Sequence, residues 1–263
     1  MPTDYENILF ACRGAGKAVA VITLNRPQRA NAMNPAMAAE LESAVHAATN
    51  DPGISAIVLT GAGKHFCPGM DGKDAKELAE RISRGEHPAE PFSGNLRILH
   101  RATLAIFEAT KPTIAAINGS AAAGGLDLAL ACDYRFSVGT AKFGESYVKL
   151  NLPPLNGGAW LLRRVVRHSI AFRMLMTGEP IDASAALAIG LIDEISPNEE
   201  VLDRAISFAE RVCAGSLPLM AFIKSELRTD GTLRDALARA YVAGVGFIQS
   251  DEHRRAVEGI RGS

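Results

Sequence analysis

Short apolar runs alternate with longer amphipathic segments along the first three quarters of the chain. The runs are rich in β-branched residues and bounded by Asn, Pro or Gly, which is typical of buried strands. Strands are predicted over residues 19–24, 56–60 and 112–117, and helices over residues 35–48, 73–83 and 98–109, with a polar loop through Gly94. Asn34 and Pro35 predict the N-cap and the first residue of the first helix. Alternating strands and helices predict an α/β domain.

The last quarter of the chain has a purely helical pattern. From about Glu199 onward, helices are predicted over residues 199–214, 218–228 and 232–250. A change from alternating strands and helices to helices alone usually marks a second subdomain. We therefore predict an α/β core over residues 1–198 that carries the functional site, followed by a helical region over residues 199–263.

Composition and charge narrow the class of protein. With 263 residues, 48% of them hydrophobic and 22% charged, the chain is long enough for one domain with a sizeable core. The net charge of −1 gives no general attraction to nucleic acid or to an anionic membrane surface. No apolar stretch reaches membrane-spanning length, and no basic and apolar N-terminal run resembles a signal peptide. We expect a cytoplasmic protein without nucleic-acid or membrane partners.

The four cysteines, Cys12, Cys67, Cys132 and Cys213, are widely spaced and form no C-x-x-C pair. This spacing argues against a zinc site or a redox motif and fits a reducing compartment. No metal site is therefore expected.

One carboxylate stands in the most apolar segment of the chain. Residues 117–137 read INGSAAAGGLDLALACDYRFS, and Asp127 lies between two leucines. The apolar residues around it predict a buried helix, whose first N–H groups lack acceptors and carry partial positive charge. Gly124 and Gly125 would let a ligand oxygen approach these N–H groups, as in an oxyanion hole. Asp127 is then a candidate for proton transfer; the alternative is an ordinary residue of a helix start.

A second glycine-rich loop strengthens this hypothesis. The segment HFCPGMDG follows the strand predicted over residues 56–60 and places Met70 before Asp71 at a predicted helix start. Its N–H at Met70 can serve as a second donor to the same oxygen. Taken alone, the loop is better explained by a simple connection with Asp71 as an N-cap.

Five segments, in this order and spacing, resemble the enoyl-CoA hydratase/isomerase, or crotonase, superfamily. They read ITLNRPQRANAMN, IVLTGAGKHFCPGMDGKD, KPTIAAINGSAAAGGLDLALACDYRFS, AKFGESYVKLNLPPLNGGAWLLRRVV and MTGEPIDASAALAIGLIDEI. The resemblance implies a crotonase-like spiral of repeated ββα units and a C-terminal helical region used in forming trimers. It also implies an acyl-CoA thioester as substrate, with no separate cofactor, and a homotrimer or a hexamer built from two trimers.

The resemblance also assigns residues to the site by position. The oxyanion-hole amides would be those of Met70 and Gly124, with Gly125 beside them. Four further residues match the part of the family that lines the coenzyme A pocket: Arg29, Ala30, Ala32 and Asp71. Arg29 either pairs with a phosphate of coenzyme A or is a solvated surface arginine.

The acid positions depart from the family pattern. Asp127 occupies the first acid position, shortened from the usual Glu, and Tyr147 occupies the second. A phenol with an ordinary pKa near ~10 is a poor base at neutral pH but a good hydrogen-bond donor. Glu145, two residues earlier, lies on the same face as Tyr147 if the segment is extended, and either substitutes for the missing acid or is structural. Leu155 stands where some isomerases of the family carry another acid.

These residues predict an enoyl-CoA hydratase or double-bond isomerase with Asp127 as the main acid/base acting on a thioester enolate. Two alternatives remain open at this point. One is a decarboxylase or a C–C hydrolase or lyase of the same fold that uses Tyr147; decarboxylation and cleavage by a lyase need no activated water. The other is a binding protein of the same fold without catalysis.

Overall fold

The computed structural model describes residues 4–14, 18–71, 76, 77, 80, 81, 83–86 and 89–261. Its strands are β1 (Ile8–Arg13), β2 (Ala18–Leu24), β3 (Ile54–Gly61), β4 (Thr113–Ile117), β5 (Ala121–Ala122), β6 (Tyr134–Val138), β7 (Lys142–Gly144), β8 (Ile181–Asp182) and β9 (Glu194–Ser196). Its helices are α1 (Pro35–Asn50), α2 (Ala89–Glu108), α3 (Gly124–Ala131), α4 (Gly158–Val165), α5 (His168–Thr177), α6 (Ala183–Ala188), α7 (Val201–Val212), α8 (Leu217–Arg228), α9 (Leu233–Phe247) and α10 (Asp251–Arg261).

The main sheet has six strands in the order β1-β2-β3-β4-β6-β9. Strand β1 pairs antiparallel with β2, and the other neighbours pair in parallel. Every residue of β4 is buried, as are the first seven of the eight residues of β3. A parallel sheet needs both faces covered, which explains why these strands read as continuous apolar runs.

A small second sheet lies beside the first and leads into the functional region. Strand β5 pairs in parallel with β7, which pairs antiparallel with β8. Because β5 ends two residues before α3 begins, this sheet fixes the backbone immediately before the glycine-rich helix start.

Most elements agree with the sequence predictions. Helix α1 begins at Pro35, and the side chain of Asn34 caps it by accepting from the N–H of Met37 at 2.9 Å. Of the helix predicted over residues 73–83, Lys76, Glu77, Glu80, Arg81 and Ser83 are helical, and the rest lies outside the described residues.

Two sequence predictions need correction. Helix α2 begins at Ala89, where a polar loop was expected through Gly94. Pro91 is compatible with this start because the N–H that proline lacks would have no acceptor in the first helical turn. The helix predicted over residues 232–250 ends at Phe247, and a separate helix, α10, follows.

The C-terminal helices differ in how they meet the core. Helix α7 buries Val201, Ala205, Ile206 and Ala209, whereas no residue of α9 is buried. In the part of the chain that the structure describes, no single helix is long and apolar enough to cross a membrane; α7 and α8, bent by 104°, reach that length and composition only as a pair.

A charged cluster fastens α8 to the core. Lys224, in α8, places its Nζ 2.8 Å from Asp133 Oδ2 and donates to the carbonyl oxygen of Lys111 at 2.7 Å. Arg228 forms a second ion pair with Asp133, whose carboxylate also accepts from the N–H of Thr113 at 2.8 Å. Asp133 thus joins α8 to the start of β4.

Replacing Asp133 by alanine is expected to lower the free energy of unfolding by about 2–4 kcal/mol, because it leaves two largely buried cations without their counter-ion. Thermal or urea unfolding of Asp133→Ala measures this. Asp230→Ala, which removes an exposed partner of Arg164, is the control and is expected to cost less than about 1 kcal/mol. Equal losses in the two variants would contradict the anchoring role.

Candidate active site

The first turn of the site lies between β3 and Asp71 and holds Met70. The N–H of Met33 donates to the carbonyl oxygen of Gly69 at 2.7 Å, and the N–H of Asp71 donates to that of Met33 at 3.0 Å. In this parallel pairing the bonds go to the residues on either side of Met70, so the N–H of Met70 points away from Met33. These two hydrogen bonds fix the turn, and the N–H of Met70 takes no part in the pairing.

The second turn connects β5 to α3. The N–H of Ala122 donates to Cys67 at 3.0 Å, and the N–H of Ala123 donates to Gly144 at 2.9 Å. Ala123 has φ 46° and ψ −127°, a strained conformation for alanine that the surrounding bonds must enforce. Gly124 follows as the first residue of α3, where an N–H has no intrahelical acceptor.

The two turns touch each other. A methyl group built on Gly69 would lie 3.2 Å from the backbone nitrogen of Gly124, and the φ of 98° at Gly69 favours glycine in any case. Within the described residues, the N–H groups of Met70 and Gly124 donate to no backbone carbonyl. The structure thus brings both predicted donors onto adjoining turns.

Asp127 lies in the first turn of α3, as predicted, and is fully buried. Tyr147 reaches it from a short 3₁₀ helix, Ser146–Leu150, and its hydroxyl donates to Asp127 Oδ2 at 2.7 Å. The Tyr147 Oη also lies 3.3 Å from the position of a methyl group built on Gly124. The phenol therefore sits next to both the carboxylate and the backbone of the second turn.

Glu145 joins the same cluster, although the segment is not extended as the sequence argument assumed. The strand β7 ends at Gly144, and Glu145 precedes the 3₁₀ helix with its side chain fully buried. A methyl group built on Gly158 would lie 2.4 Å from Asp127 Oδ1 and 3.0 Å and 3.1 Å from the two oxygens of Glu145. Both carboxyl groups thus lie against the same residue, at the start of α4.

Gly158 is one of the site residues that were not predicted from the sequence. The segment LNGGAW shows its two adjacent glycines, Gly157 and Gly158, but nothing in the sequence says what the space above the second glycine holds. The structure shows that a side chain there would enter the space of the two carboxyl groups.

Burial dominates the electrostatics of the cluster. It raises the pKa of Asp127 above its ordinary value, and the hydrogen bond from Tyr147 opposes that rise. It also raises the pKa of Glu145, and the neighbouring charge of Asp127 adds to the effect. The pKa of Tyr147 rises as well, through burial and then through Asp127, so the phenol stays protonated and acts as a donor.

The residues predicted to line the coenzyme A pocket lie together around Asp71. Ala32 and Asp71 are buried, and Ala30 ends the short 3₁₀ helix Pro27–Arg29. Asp71 pairs with Arg26 at 3.0 Å and lies 3.9 Å from Arg29, whose side chain is 43% exposed. Asp71 therefore positions two arginines beside the first turn. Of these two, Arg26 was not predicted from the sequence.

Leu155 lines a pocket of about 660 Å³ between α2 and the start of α4. The residues that line this pocket are His100, Thr103, Leu104, Phe107, Glu108, Pro154, Leu155, Asn156, Gly157, Trp160 and Leu161. Gly157 lines this pocket, and the next residue, Gly158, lies against the two carboxyl groups. Among the described residues, no group of three or more His, Cys, Asp or Glu is placed to hold a metal ion.

Comparisons with known proteins identify the family to which the chain is similar. The sequence model of the family described as enoyl-CoA hydratase/isomerase matches residues 14–260. A probable enoyl-CoA hydratase of Rhizobium meliloti (strain 1021) is 34% identical over 228 residues, which are 84% of this chain and 80% of the relative. The (E)-benzylidenesuccinyl-CoA hydratase of Thauera aromatica is 39% identical over 203 residues, 76% of this chain and 75% of the relative.

A solved structure shares the fold over almost the whole chain. The crystal structure of an enoyl-CoA hydratase from Bacillus anthracis superposes with a TM-score of 0.88 at 27% identity. The match covers 98% of this chain and 96% of that one. The predicted crotonase-like fold is confirmed.

Proposed function

Because the chain belongs to the enoyl-CoA hydratase/isomerase family, we propose that it adds water across the C2–C3 double bond of a 2-enoyl-CoA thioester. The observation that carries this proposal is the cluster of two buried carboxyl groups and a phenol beside two adjoining turns with spare N–H donors. Hydration needs a group that takes a proton from water and a group that gives one to carbon, and two acids can share these tasks.

The proposed chemistry starts at the thioester carbonyl. The N–H groups of Met70 and Gly124 would donate to its oxygen, which stabilises the negative charge of the enolate and makes C3 electrophilic. The oxygen of water then bonds to C3, one water proton passes to the acid cluster, and the cluster returns a proton to C2. Asp127 would be the main acid/base, and Tyr147 would bring its hydroxyl to the substrate.

Coenzyme A binding is assigned to the pocket around Asp71. Arg29 is half-exposed and close to Asp71, so its guanidinium is oriented while part of it faces outward. Such an arginine suits a phosphate of coenzyme A. Ala30 and Ala32 would line the same pocket.

A panel of thioesters tests the reaction. We expect turnover of but-2-enoyl-CoA to 3-hydroxybutanoyl-CoA, which is measured by the loss of absorbance of the conjugated enoyl thioester. Conversion of a 3-enoyl-CoA, or loss of CO₂ from a malonyl-type thioester, with no hydration would favour isomerase or decarboxylase chemistry. Binding of acyl-CoA without turnover of any thioester would favour the non-catalytic alternative.

We further propose that the C-terminal helices form an interface between copies of the chain, as in a trimer or a hexamer. Leu233, Leu237, Tyr241 and Val245 recur every four residues along α9, and all are exposed. Leu237 and Tyr241 are 61% and 75% exposed. A row of large apolar side chains on one helix face is the surface that subunit contacts bury.

Replacing Leu237 by aspartate is expected to convert the oligomer to smaller species, because a charge would be buried in the contact. Light scattering coupled to gel filtration measures the mass, and Leu237→Met, which keeps the apolar surface, is expected to remain oligomeric. A wild-type protein that is monomeric at micromolar concentration would contradict the proposed interface.

A further inference from the structure

On the basis of the hydration proposed above, we infer that the carboxyl groups of Asp127 and Glu145 share one proton. Glu145 is then a positioning residue, which acts through Asp127 and sets whether Asp127 is ready to give a proton or to take one. Nothing in the family's usual acid positions assigns a role to Glu145, because the second acid position is occupied by Tyr147.

The missing donors around the pair carry the inference. Asp127 Oδ1 and both oxygens of Glu145 are buried, and within the described residues no N–H or O–H group of another residue donates to them. The two carboxyl groups lie close enough to hydrogen-bond to each other when one of them is protonated. Both carboxyl groups lie against Gly158, and neither has an ion pair with Lys, Arg or His in the described residues. Two buried carboxylates with the Tyr147 hydroxyl as their one described donor, and with no described counter-ion, would repel each other strongly and lose their hydration. One shared proton removes half of the charge and supplies a donor.

The order of the groups defines the direction of proton movement. Tyr147 is the polar group beside Gly124, its hydroxyl bonds to Asp127, and Glu145 lies against Gly158 with Asp127. Among the described residues, the titratable groups that act on the pair are its own two members and Tyr147. The cluster is a row of three groups with Tyr147 at the end nearest the predicted oxyanion site.

The proton balance of one turnover is closed within this row. The pair begins with one proton. The Tyr147 hydroxyl, which donates to Asp127 Oδ2 in this structure, turns towards C2, and Asp127 gives its proton to the Tyr147 oxygen as the hydroxyl proton passes to C2. The proton that water loses when its oxygen bonds to C3 returns to the pair. No other proton donor or acceptor is consumed, and the enzyme ends in its starting state.

The pair also predicts how stability depends on pH. In the unfolded chain both carboxyls lose their protons near pH ~4, whereas in the folded protein burial raises both pKa values and the charge of Asp127 raises that of Glu145 further. The folded state therefore holds more protons above pH ~4, and stability falls as pH rises, by about tenfold in the unfolding equilibrium constant per pH unit for one proton. Glu145→Gln removes one member and is expected to flatten this slope.

Two measurements test the inference. Infrared spectra of the wild-type protein in D₂O at neutral pH are expected to show the C=O band of a protonated carboxylic acid, which disappears at alkaline pH. In Asp127→Asn the band is expected to disappear at a lower pH, because Glu145 then lacks the carboxylate neighbour that raises its pKa. Glu145→Gln is expected to move the alkaline limb of the kcat/KM profile down by about one pH unit or more, because the proton then rests on Asp127 alone and is no longer held between two carboxyl groups. At pH values above the new limb, kcat/KM would be about tenfold lower than in wild type.

The controls separate this inference from the proposed function. Exposed Glu179→Gln is expected to leave the pH profile unchanged. A uniform loss of activity in Glu145→Gln without displacement of the limb would show a merely structural role and overturn the inference. Absence of the protonated-acid band at neutral pH would overturn it too, even if Glu145→Gln does not fold. Because the infrared measurement needs no substrate, its result tests the shared proton whether or not the reaction is hydration.

Discussion

Asp127→Asn is expected to lower kcat for hydration of but-2-enoyl-CoA by about 10²–10⁴-fold, the usual effect of losing a positioned acid/base. Asparagine keeps the shape of the side chain and can still accept the hydrogen bond from Tyr147, which is 2.7 Å long in the wild-type protein. What it cannot do is gain or lose a proton between pH 4 and 10. The loss therefore measures proton transfer rather than packing.

Substrate binding should survive this change. Arg29 and Asp71, the residues assigned to coenzyme A, belong to the first turn and its neighbours, whereas Asp127 is fully buried in α3. We expect the Kd for a saturated acyl-CoA, measured by calorimetry, to stay within about threefold of the wild-type value. Asp203→Asn, at an exposed position of α7, is the matched control and should leave kcat unchanged.

Full activity in Asp127→Asn would exclude the proposed role of this residue. Retained activity would favour a mechanism in which Tyr147 acts on the substrate and no water is activated. The variant Tyr147→Phe then distinguishes the remaining possibilities, since it removes the hydroxyl beside Gly124 but leaves both carboxyl groups in place.

Local signals in the sequence were sufficient for most elements of the core. Asn34 and Pro35 start α1 because an N-cap acceptor and a fixed φ act within a few residues of each other. The apolar runs of β2, β3 and β4 show burial on both faces, which periodicity reveals directly. Strand β1 was not predicted, because it is an edge strand whose last three residues are exposed.

The site could be predicted only as far as its residues lie on recognisable motifs. Asp127, Met70 and Gly124 stand in glycine-rich segments, and the structure brings these segments together. The placement of Glu145 depends on where β7 ends and the 3₁₀ helix begins, and on the approach of α4 from another part of the chain. Contacts between Asp127, Glu145 and Gly158 are set by tertiary packing, which no local pattern in one sequence reports.

Gly125→Ala is expected to be the most damaging single substitution of a glycine in the site. A methyl group at this position would lie 2.1 Å from the carbonyl oxygen of Cys67 and 2.6 Å from its carbonyl carbon. Backbone atoms cannot turn aside as a flexible side chain does, so the two turns must move apart. The same carbonyl oxygen accepts from the N–H of Ala122, and this bond would be strained or lost.

Separation of the turns would affect stability and rate together. Overpacking of a dense interior costs about 1–3 kcal/mol, and loss of one oxyanion donor costs about 10²–10³ in kcat. Met70 lies three residues after Cys67, so a shift of Cys67 carries the first donor away from Gly124, the second. Urea unfolding and steady-state kinetics at one temperature give the two quantities for the same preparation.

Gly94→Ala is the matched control for this experiment. Gly94 lies within α2, and a methyl group there meets nothing within 4 Å, so alanine should stabilise the protein by about 0.4–1 kcal/mol and leave kcat unchanged. If Gly125→Ala instead keeps wild-type kcat while losing stability, the backbone shift does not reach the thioester oxygen. In that case the N–H groups of Met70 and Gly124 are not the donors that activate the substrate.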